Sequence, residues 1–409
     1  MKEDVSKCGM MSDFGVVYTD TFSRMYPVIN NYLFNQKEYE NSRDGRVKEM
    51  LDVKTILTNP YRRCVGGYNR NINIFFLLAE AMWIVLGRKD VKTLVLFNKN
   101  MEKFSDDGET FHAPYGFRLR HWGIRTEDKF EEGMSTGQGM DQVINAIKLL
   151  SENPNSRQVV MSIWNPNFDL GFKTKDIPCN DMIMLKIRHG QLITTIQNRS
   201  NDLHWGLPTN IFQFSFLTEI MAACLRISLG TQTHNSQSLH IYEWNDIAST
   251  MNSEFKGSLV GNLYDAPCYA EERRMDFNFS HTVPVNRFRE VEYYLTLILD
   301  NVMRVANGEG DNKEEIQSLA AFSKYLYNSY LLLKIYLEYK HNISESKTIM
   351  EKDIARHAAI AEIEVMEAEM EDDGGTGAMG YNWDISVLAK NFFAARLSKK
   401  IEHEYLGKL

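Results

Sequence analysis

The run Ile74-Phe-Phe-Leu-Leu-Ala-Glu-Ala-Met-Trp-Ile-Val-Leu86 is apolar on nearly every side. At thirteen residues it is shorter than the roughly 20 a bilayer span requires. It therefore reads as a helix over residues 71–87, buried in a protein core and stopped by Gly87. A second apolar stretch, Ile211 to Leu229, reads as a long central helix closed by Gly230. Glu80 interrupts the first run. A carboxylate among apolar side chains is costly to ionise unless it is hydrogen-bonded, so Glu80 has either a raised pKa or a polar cavity beside it. On those grounds it is a general acid/base candidate.

Around these helices the pattern is mixed. Ser42-Arg43-Asp44-Gly45-Arg46 reads as a turn, and residues 47–58 as a strand closed by Asn59-Pro60. Residues 139–151 carry Val143, Ile144, Ile147 and Leu150 at helical spacing, and Val159–Trp164 is strand-like. Met182–Ile187 and Leu192–Ile196 alternate on either side of His189-Gly190, the pattern of a hairpin. From about Pro284 the texture becomes helical, over Glu290–Val305, Glu314–Tyr339, Lys352–Glu371 and Ile385–Tyr405. Asp372-Asp-Gly-Gly-Thr-Gly377 lacks the preceding strand that a nucleotide-binding loop needs, and reads as a linker. The chain thus divides into a mixed α+β catalytic domain, residues 1–283, and a helical C-terminal extension, residues 284–409.

Bulk properties narrow the function. The chain has 409 residues and a formal charge of −8, which argues against a general affinity for nucleic-acid phosphates. Cys8, Cys64, Cys179, Cys224 and Cys268 are scattered without CxxC spacing, so reduced thiols fit better than disulfides or a zinc site. The charged start, Met-Lys-Glu-Asp-Val-Ser-Lys, has no apolar run behind it. The expectation is a cytoplasmic protein with no leader, no membrane span and no metal.

One segment carries most of the chemistry. Cys179, in Ile-Pro-Cys-Asn, stands at the start of a strand, where a loop end presents a side chain into a cleft. A lone cysteine is ordinarily a small buried hydrophobe; beside a cation it becomes a nucleophile, since the thiolate is the reactive form. Arg199-Ser200 follows the second hairpin strand, so both lie beside Cys179, where an Arg fork and a hydroxyl make a phosphate clamp. The alternative for Arg199 is an ion pair with Asp202. Asn210 offers a donor and an acceptor, matching the O4/N3–H edge of uracil, and is equally suited to capping the helix that follows. Ser156-Arg157 is a further candidate anion site, and His240 and Tyr242 share one strand face, which suits either two polar rings reaching a sugar hydroxyl or plain edge-strand residues.

Taken in order, these motifs resemble the thymidylate synthase superfamily, which includes the phage-type deoxypyrimidine monophosphate hydroxymethylases. The resemblance covers roughly residues 30–270. It rests on Pro178-Cys179; on Arg199, Ser200, Asp202, Gly206, Pro208 and Asn210; on His240-Ile241-Tyr242; and on Ser156-Arg157. It also rests on Glu80 with Trp83, on Pro114-Tyr115-Gly116 with Arg118 or Arg120 downstream, and on Arg43. The resemblance implies that Cys179 adds to C6 of dUMP or a related deoxypyrimidine monophosphate, with 5,10-methylenetetrahydrofolate as co-substrate. It implies catalytic roles for Cys179, Glu80, Asn180 and Tyr115. It places the 5′-phosphate on Arg43, Arg199, Ser200 and the partner subunit's Arg157 in a homodimer, the 3′-hydroxyl on His240 and Tyr242, and the base on Asn210. Trp83, Asp202 and Gly206 would face the folate, and Glu80 would organise water and shuttle protons.

Four departures bear on the product. Synthases usually carry His after the nucleophile, where this chain has Asn180; a double Arg, where it has Arg157-Gln158; and Gln before the Arg-Ser, where it has Asn198. The short apolar tail of synthases is replaced by the helical extension. These changes spare the nucleotide grip and fall around the second half-reaction, where water rather than hydride reaches the exocyclic methylene. The expectation is a dUMP hydroxymethylase, with thymidylate synthase and dCMP hydroxymethylase as alternatives and a non-catalytic nucleotide- or RNA-binding protein as the remote one.

Overall fold

The computed structural model describes residues 15–65, 72–126, 139–249, 274–372 and 384–394. An early strand β1 (Val16–Thr19) leads into α1 (Phe22–Phe34), then β2 (Glu40–Ser42) and β3 (Gly45–Leu57). Next come α2 (Ile74–Val85), α3 (Val91–Val95), a 3-10 turn at Lys99–Phe104, α4 (Tyr115–Arg120) and α5 (Gln142–Glu152). Then follow β4 (Val159–Ser162), α6 (Pro166–Asp169), β5 (Asn180–Arg188), β6 (Gln191–Asn198), β7 (Asn201–Asp202), α7 (Gly206–Leu225) and β8 (Ser228–Tyr242). The C-terminal helices are α8 (Pro284–Ala306), α9 (Lys313–Phe322), α10 (Lys324–Glu345), α11 (Ile349–Asp372) and α12 (Asp384–Ala394).

The strands form one mixed sheet in the order β1-β3-β8-β6-β5-β4, with β2 on β3 and β7 on β8. The expected hairpin is β5 and β6, turning at His189 (φ 53°) and Gly190 (φ 70°), the two positive φ values a tight two-residue turn requires. β8 runs beside β6 in parallel, pairing Asn198 with Ser236. It also runs antiparallel to β3, which brings Tyr242 opposite Val47. The ends of β3, β5, β6 and β8 that carry Arg43, Cys179, Arg199 and Tyr242 are thereby gathered at one edge of the molecule.

Sequence signals misplace both ends of α7. The expected stop at Gly230 is wrong: the helix ends at Leu225, where Arg226 takes the left-handed conformation (φ 57°, ψ 42°). Arg226 N donates to Ala223 O and Ile227 N to Ala222 O, a Schellman closure built on a residue other than glycine. Gly230 belongs instead to β8, where a Cβ would stand 3.0 Å from the Leu192 carbonyl of β6. At the other end, Trp205 is the N-cap and the helix starts at Gly206, so Asn210 lies inside the helix and does not cap it. The single helix expected over 314–339 is two, α9 and α10, broken at Ser323; that serine caps α10 by accepting from Leu326 N at 3.2 Å. The expected linker after Asp372 and the end of the last helix beyond Ala394 lie outside the described residues.

α2 and α7 pack on each other and are buried along almost their whole circumference. The C-terminal helices supply much of that cover. α8 lies on α2, α5 and α7, while α10 and α12 lie on α2. Phe75 of α2 stacks on Tyr336 at 4.6 Å between centroids and meets Phe392 and Phe393 at 5.4 and 5.3 Å. Arg287 donates to Cys224 O at the end of α7 (2.7 Å), and Arg120 of α4 pairs with Glu292 of α8 (2.6 Å). Among the described residues, no helix is long and apolar enough to cross a membrane.

Candidate active site

Cys179 ends the loop that enters β5, and its side chain is partly exposed. Arg199, one residue past β6, is its neighbour because Arg199 N donates to Cys179 O (3.0 Å), continuing the ladder between the two strands. The Arg199 guanidinium folds back over the loop. It donates to Pro178 O (2.8 Å) and Ile177 O (3.1 Å) and lies 3.8 Å from Cys179 Sγ, rather than turning to Asp202. Burial pushes the Cys179 thiol above its ordinary pKa, while the positive charges of Arg199 and Arg43 oppose that rise. Asp176, in the same loop, accepts from Ala113 N (2.8 Å), which ties the loop to the segment before α4. There Tyr115 is partly buried, with its hydroxyl engaged by the Cys179 backbone and the Asn180 side chain. Burial raises the Tyr115 pKa well above normal, so it is a neutral donor beside the thiol.

Arg43 sits in the β2–β3 turn, exposed and paired with Asp44 at 3.1 Å. Its charge is felt at both Cys179 and Tyr242. The turn is fastened by Trp244, whose indole N–H donates to Asp44 O (3.2 Å) and whose ring stacks on Tyr242. Tyr242 in turn meets the His240 ring edge-on at 5.2 Å. Burial pushes the Tyr242 pKa up to about 12 and lowers that of His240. Ser200 is half-buried beside Arg199. Arg157 is exposed in the turn before β4, and among the described residues it bonds to none of the other site groups.

Asn210 comes from the second turn of α7 and meets Asn180, the first residue of β5. Asn180 Nδ2 donates to Asn210 Oδ1 at 3.0 Å, Asn198 Nδ2 donates to Asn180 Oδ1, and Asn210 Nδ2 donates to Asn201 Oδ1 at 3.2 Å. Two of the departures seen in the sequence, Asn180 and Asn198, are therefore partners of one another. Gly206 makes room for this cluster, since a Cβ there would lie 2.9 Å from Asn201 Oδ1. Asp202 Oδ1 accepts from His204 N (2.5 Å) and Trp205 N (2.7 Å), so its carboxylate stands at the start of α7, where the helix dipole favours it.

Glu80 points from the middle of α2 toward α7, where Gln213 Nε2 donates to Glu80 Oε2. Burial pushes the carboxyl up to about 8 despite that bond, so at neutral pH it holds its proton. Trp83, one turn on, is buried and donates to Asp90 O (3.1 Å). Of the two arginines after Tyr115, Arg118 is bound to Asp169 (3.0 and 3.2 Å) and Arg120 to Asp141 and Glu292, all in the framework. Neither Gln213 nor Asn201 is among the candidate residues of the sequence. Gln213 falls one turn after Asn210 on the same helix, a spacing that places it on the same face. Asn201 offers no comparable sign.

The site is thus a partly exposed thiol flanked by two guanidinium groups, a buried amide cluster, two polar rings and a protonated carboxyl. Residues 68–256 match the family model described as thymidylate synthase. The chain is 35% identical over 287 residues to a deoxyuridylate hydroxymethyltransferase of Bacillus phage SP01, covering 69% of this chain and 73% of that protein. A protein of the same name from Pseudomonas phage M6 is 37% identical over 206 residues, or 50% of this chain and 54% of the relative. The thymidylate synthase of Bos taurus is 30% identical over 179 residues, 41% and 49% of the two chains. With a family signature across the Cys179 motifs and similarity extending over most of the Bacillus phage protein, the chain belongs to the thymidylate synthase family.

Proposed function

We propose that the protein is a deoxyuridylate hydroxymethyltransferase. The carrying observation is the meeting of Cys179, Arg199 and the Asn180–Asn210 amide pair at one end of the β5–β6 hairpin. That arrangement offers a nucleophile, an anion clamp and a base-reading amide at the end of one hairpin, and two relatives with that name are matched over 287 and 206 residues.

In this reading the Cys179 thiolate bonds to C6 of dUMP, and the electron pair released to C5 attacks the methylene carbon of 5,10-methylenetetrahydrofolate. Loss of the C5 proton and of tetrahydrofolate leaves an exocyclic methylene. Water adds to that carbon, the pair returns to expel Cys179, and 5-hydroxymethyl-dUMP leaves. Arg43, Arg199, Ser200 and the partner subunit's Arg157 hold the 5′-phosphate, His240 and Tyr242 the 3′-hydroxyl, and Asn210 the uracil edge. Tyr115 and Asn180 line the approach to Cys179. Trp83, Asp202 and Gly206 lie on the folate side. Glu80, protonated at neutral pH, supplies and takes back protons at the methylene and its water.

A homodimer is part of the proposal. Met184, Thr195 and Thr233 are cross-strand neighbours on one sheet face and are only half-buried, and Val160 on the neighbouring strand is 49% exposed. A second copy on that face would bury them and bring in the missing arginine. Residues 1–283 then carry the chemistry, and residues 284–409 act as a structural cover for α2 and α7.

The test is to incubate the protein with dUMP and methylenetetrahydrofolate and identify both products. Tetrahydrofolate with 5-hydroxymethyl-dUMP is expected. Dihydrofolate with dTMP would make it a thymidylate synthase, and no turnover in the presence of bound dUMP would point to a binding protein.

A further inference from the structure

The amide cluster behind Asn210 continues further than its role as base reader requires. Asn198 is met on its other side by His234 of β8, whose Nδ1 is 3.3 Å from Asn198 Oδ1. His234 Nε2 lies 2.9 Å from Gln232 Nε2, and that same Gln232 nitrogen lies 3.2 Å from the backbone carbonyl of Ile211. At the far end, Asn201 Nδ2 donates to Ser236 Oγ at 3.2 Å. Gln232, His234 and Ser236 alternate along β8 on its buried face, and every member of the series is 5% exposed or less.

We propose that Gln232 and His234 set which end of the Asn210 amide is oxygen and which is nitrogen, and so select a uracil over a cytosine ring; the inference rests on Asn210 reading the base. The polarity follows link by link. A carbonyl oxygen only accepts, so the Gln232 atom facing Ile211 O is the NH2 group. The His234 nitrogen facing that NH2 group must then carry a lone pair, which puts the imidazole proton on Nδ1. Nδ1–H needs an acceptor, so Asn198 presents its oxygen and gives its NH2 to Asn180. Asn180 passes the same sense to Asn210, Asn210 to Asn201, and Asn201 to Ser236. Burial supports the neutral form of His234 by pushing its pKa down to about 3, and Phe214 packs tilted against the ring.

Asn210 is left with one lone pair on Oδ1 and one N–H on Nδ2. That pair complements N3–H and O4 of uracil. Cytosine presents the opposite pair, a bare N3 and an amino group, and needs the amide turned over. In isolation an asparagine turns freely between the two orientations. Here a turn at Asn210 would set oxygen against oxygen at Asn201 and NH2 against NH2 at Asn180, both of them buried side chains. Gln232 and His234 are thus positioning residues that act on the nucleotide through Asn198 and Asn180.

The experiment has two arms. In the first, dUMP and dCMP binding to the full-length protein are titrated without folate, for the wild type and for His234→Phe and Gln232→Met. The wild type is expected to favour dUMP, and each variant to reduce the dUMP/dCMP affinity ratio by about tenfold or more, through weaker dUMP and stronger dCMP binding. Equal losses for both nucleotides, with the ratio unchanged, would overturn the inference and leave the proposed function standing. Wild-type protein binding neither nucleotide would overturn both. The second arm needs no variant to fold: 1H–15N correlation of histidine-labelled wild-type protein is expected to show His234 protonated at Nδ1 and bare at Nε2. The opposite tautomer, or a doubly protonated ring at neutral pH, would overturn the inference.

Discussion

Replacing Glu80 by glutamine should change how stability depends on pH, and the size of the change follows from the carboxyl's surroundings. In the folded chain burial moves the Glu80 pKa from 4.5 to about 8, while the unfolded chain returns it to the ordinary value. Between those pH values the folded state holds a proton that the unfolded state releases, so stability falls as pH rises. Below 4.5 both states are protonated and above 8 neither is, and the contribution is flat. The full displacement corresponds to about 5 kcal/mol, and the slope within the window to about 1.4 kcal/mol per pH unit. Glu80→Gln keeps the shape and an oxygen to accept from Gln213, but it cannot ionise. Urea unfolding at pH 5.5 and 7.5 should therefore show the variant gaining about 2–3 kcal/mol on the wild type over that interval. Taking the difference between the two proteins cancels other titrating groups, among them His234, whose depressed pKa gives a slope of the opposite sign. Parallel profiles for wild type and variant would refute the reasoning, because they would mean that Glu80 is ionised in the fold or has no altered pKa.

Three further outcomes are expected. Arg199→Ala removes a cation 3.8 Å from Cys179 Sγ, so the pH profile of Cys179 alkylation by iodoacetamide should move to higher pH and dUMP binding should weaken about tenfold or more. Arg63 forms a buried ion pair with Glu219 of α7, so Arg63→Met leaves that carboxylate in the core without this cation and should cost about 3–5 kcal/mol in urea unfolding, part of which Arg63→Met with Glu219→Leu should restore. A chain ending at residue 283 strips α8, α10 and α12 from α2 and α7 and should yield no soluble folded protein; a well-dispersed NMR spectrum from that fragment would contradict this.

The hairpin at His189-Gly190, the β3 strand and the α2 helix were legible because short-range pattern determines them: alternation, turn residues and an unbroken apolar run. Cys179, Arg199 and Asn210 were legible as motif residues, and the pairing of β5 with β6 is what brings the first two together. The misread elements have separate causes. Arg226 closes α7 through local backbone bonds without the glycine that usually marks such an end, Ser323 stands between two helices where Asp276 accepts from its hydroxyl and from Tyr325 N, and Gly230 answers to the closeness of β6 rather than to a helix end. Gln232 and His234 were invisible for a different reason. A polar residue on a strand face looks the same whether it meets water or a buried amide, and only the register of β8 against β6 decides which.

The aromatic contacts on Phe75 carry a consequence for relatives of other lengths. Phe75 lies on the helix that presents Glu80, and its outer face is closed by Tyr336, Phe392 and Phe393. A homologue that stops before this point would leave a bare apolar stripe on its acid-bearing helix. It must therefore place polar side chains along that stripe or recruit another segment against it. Residue 75 and the length of the chain should accordingly change together across the family, making an aromatic at this position a marker for the helical annex.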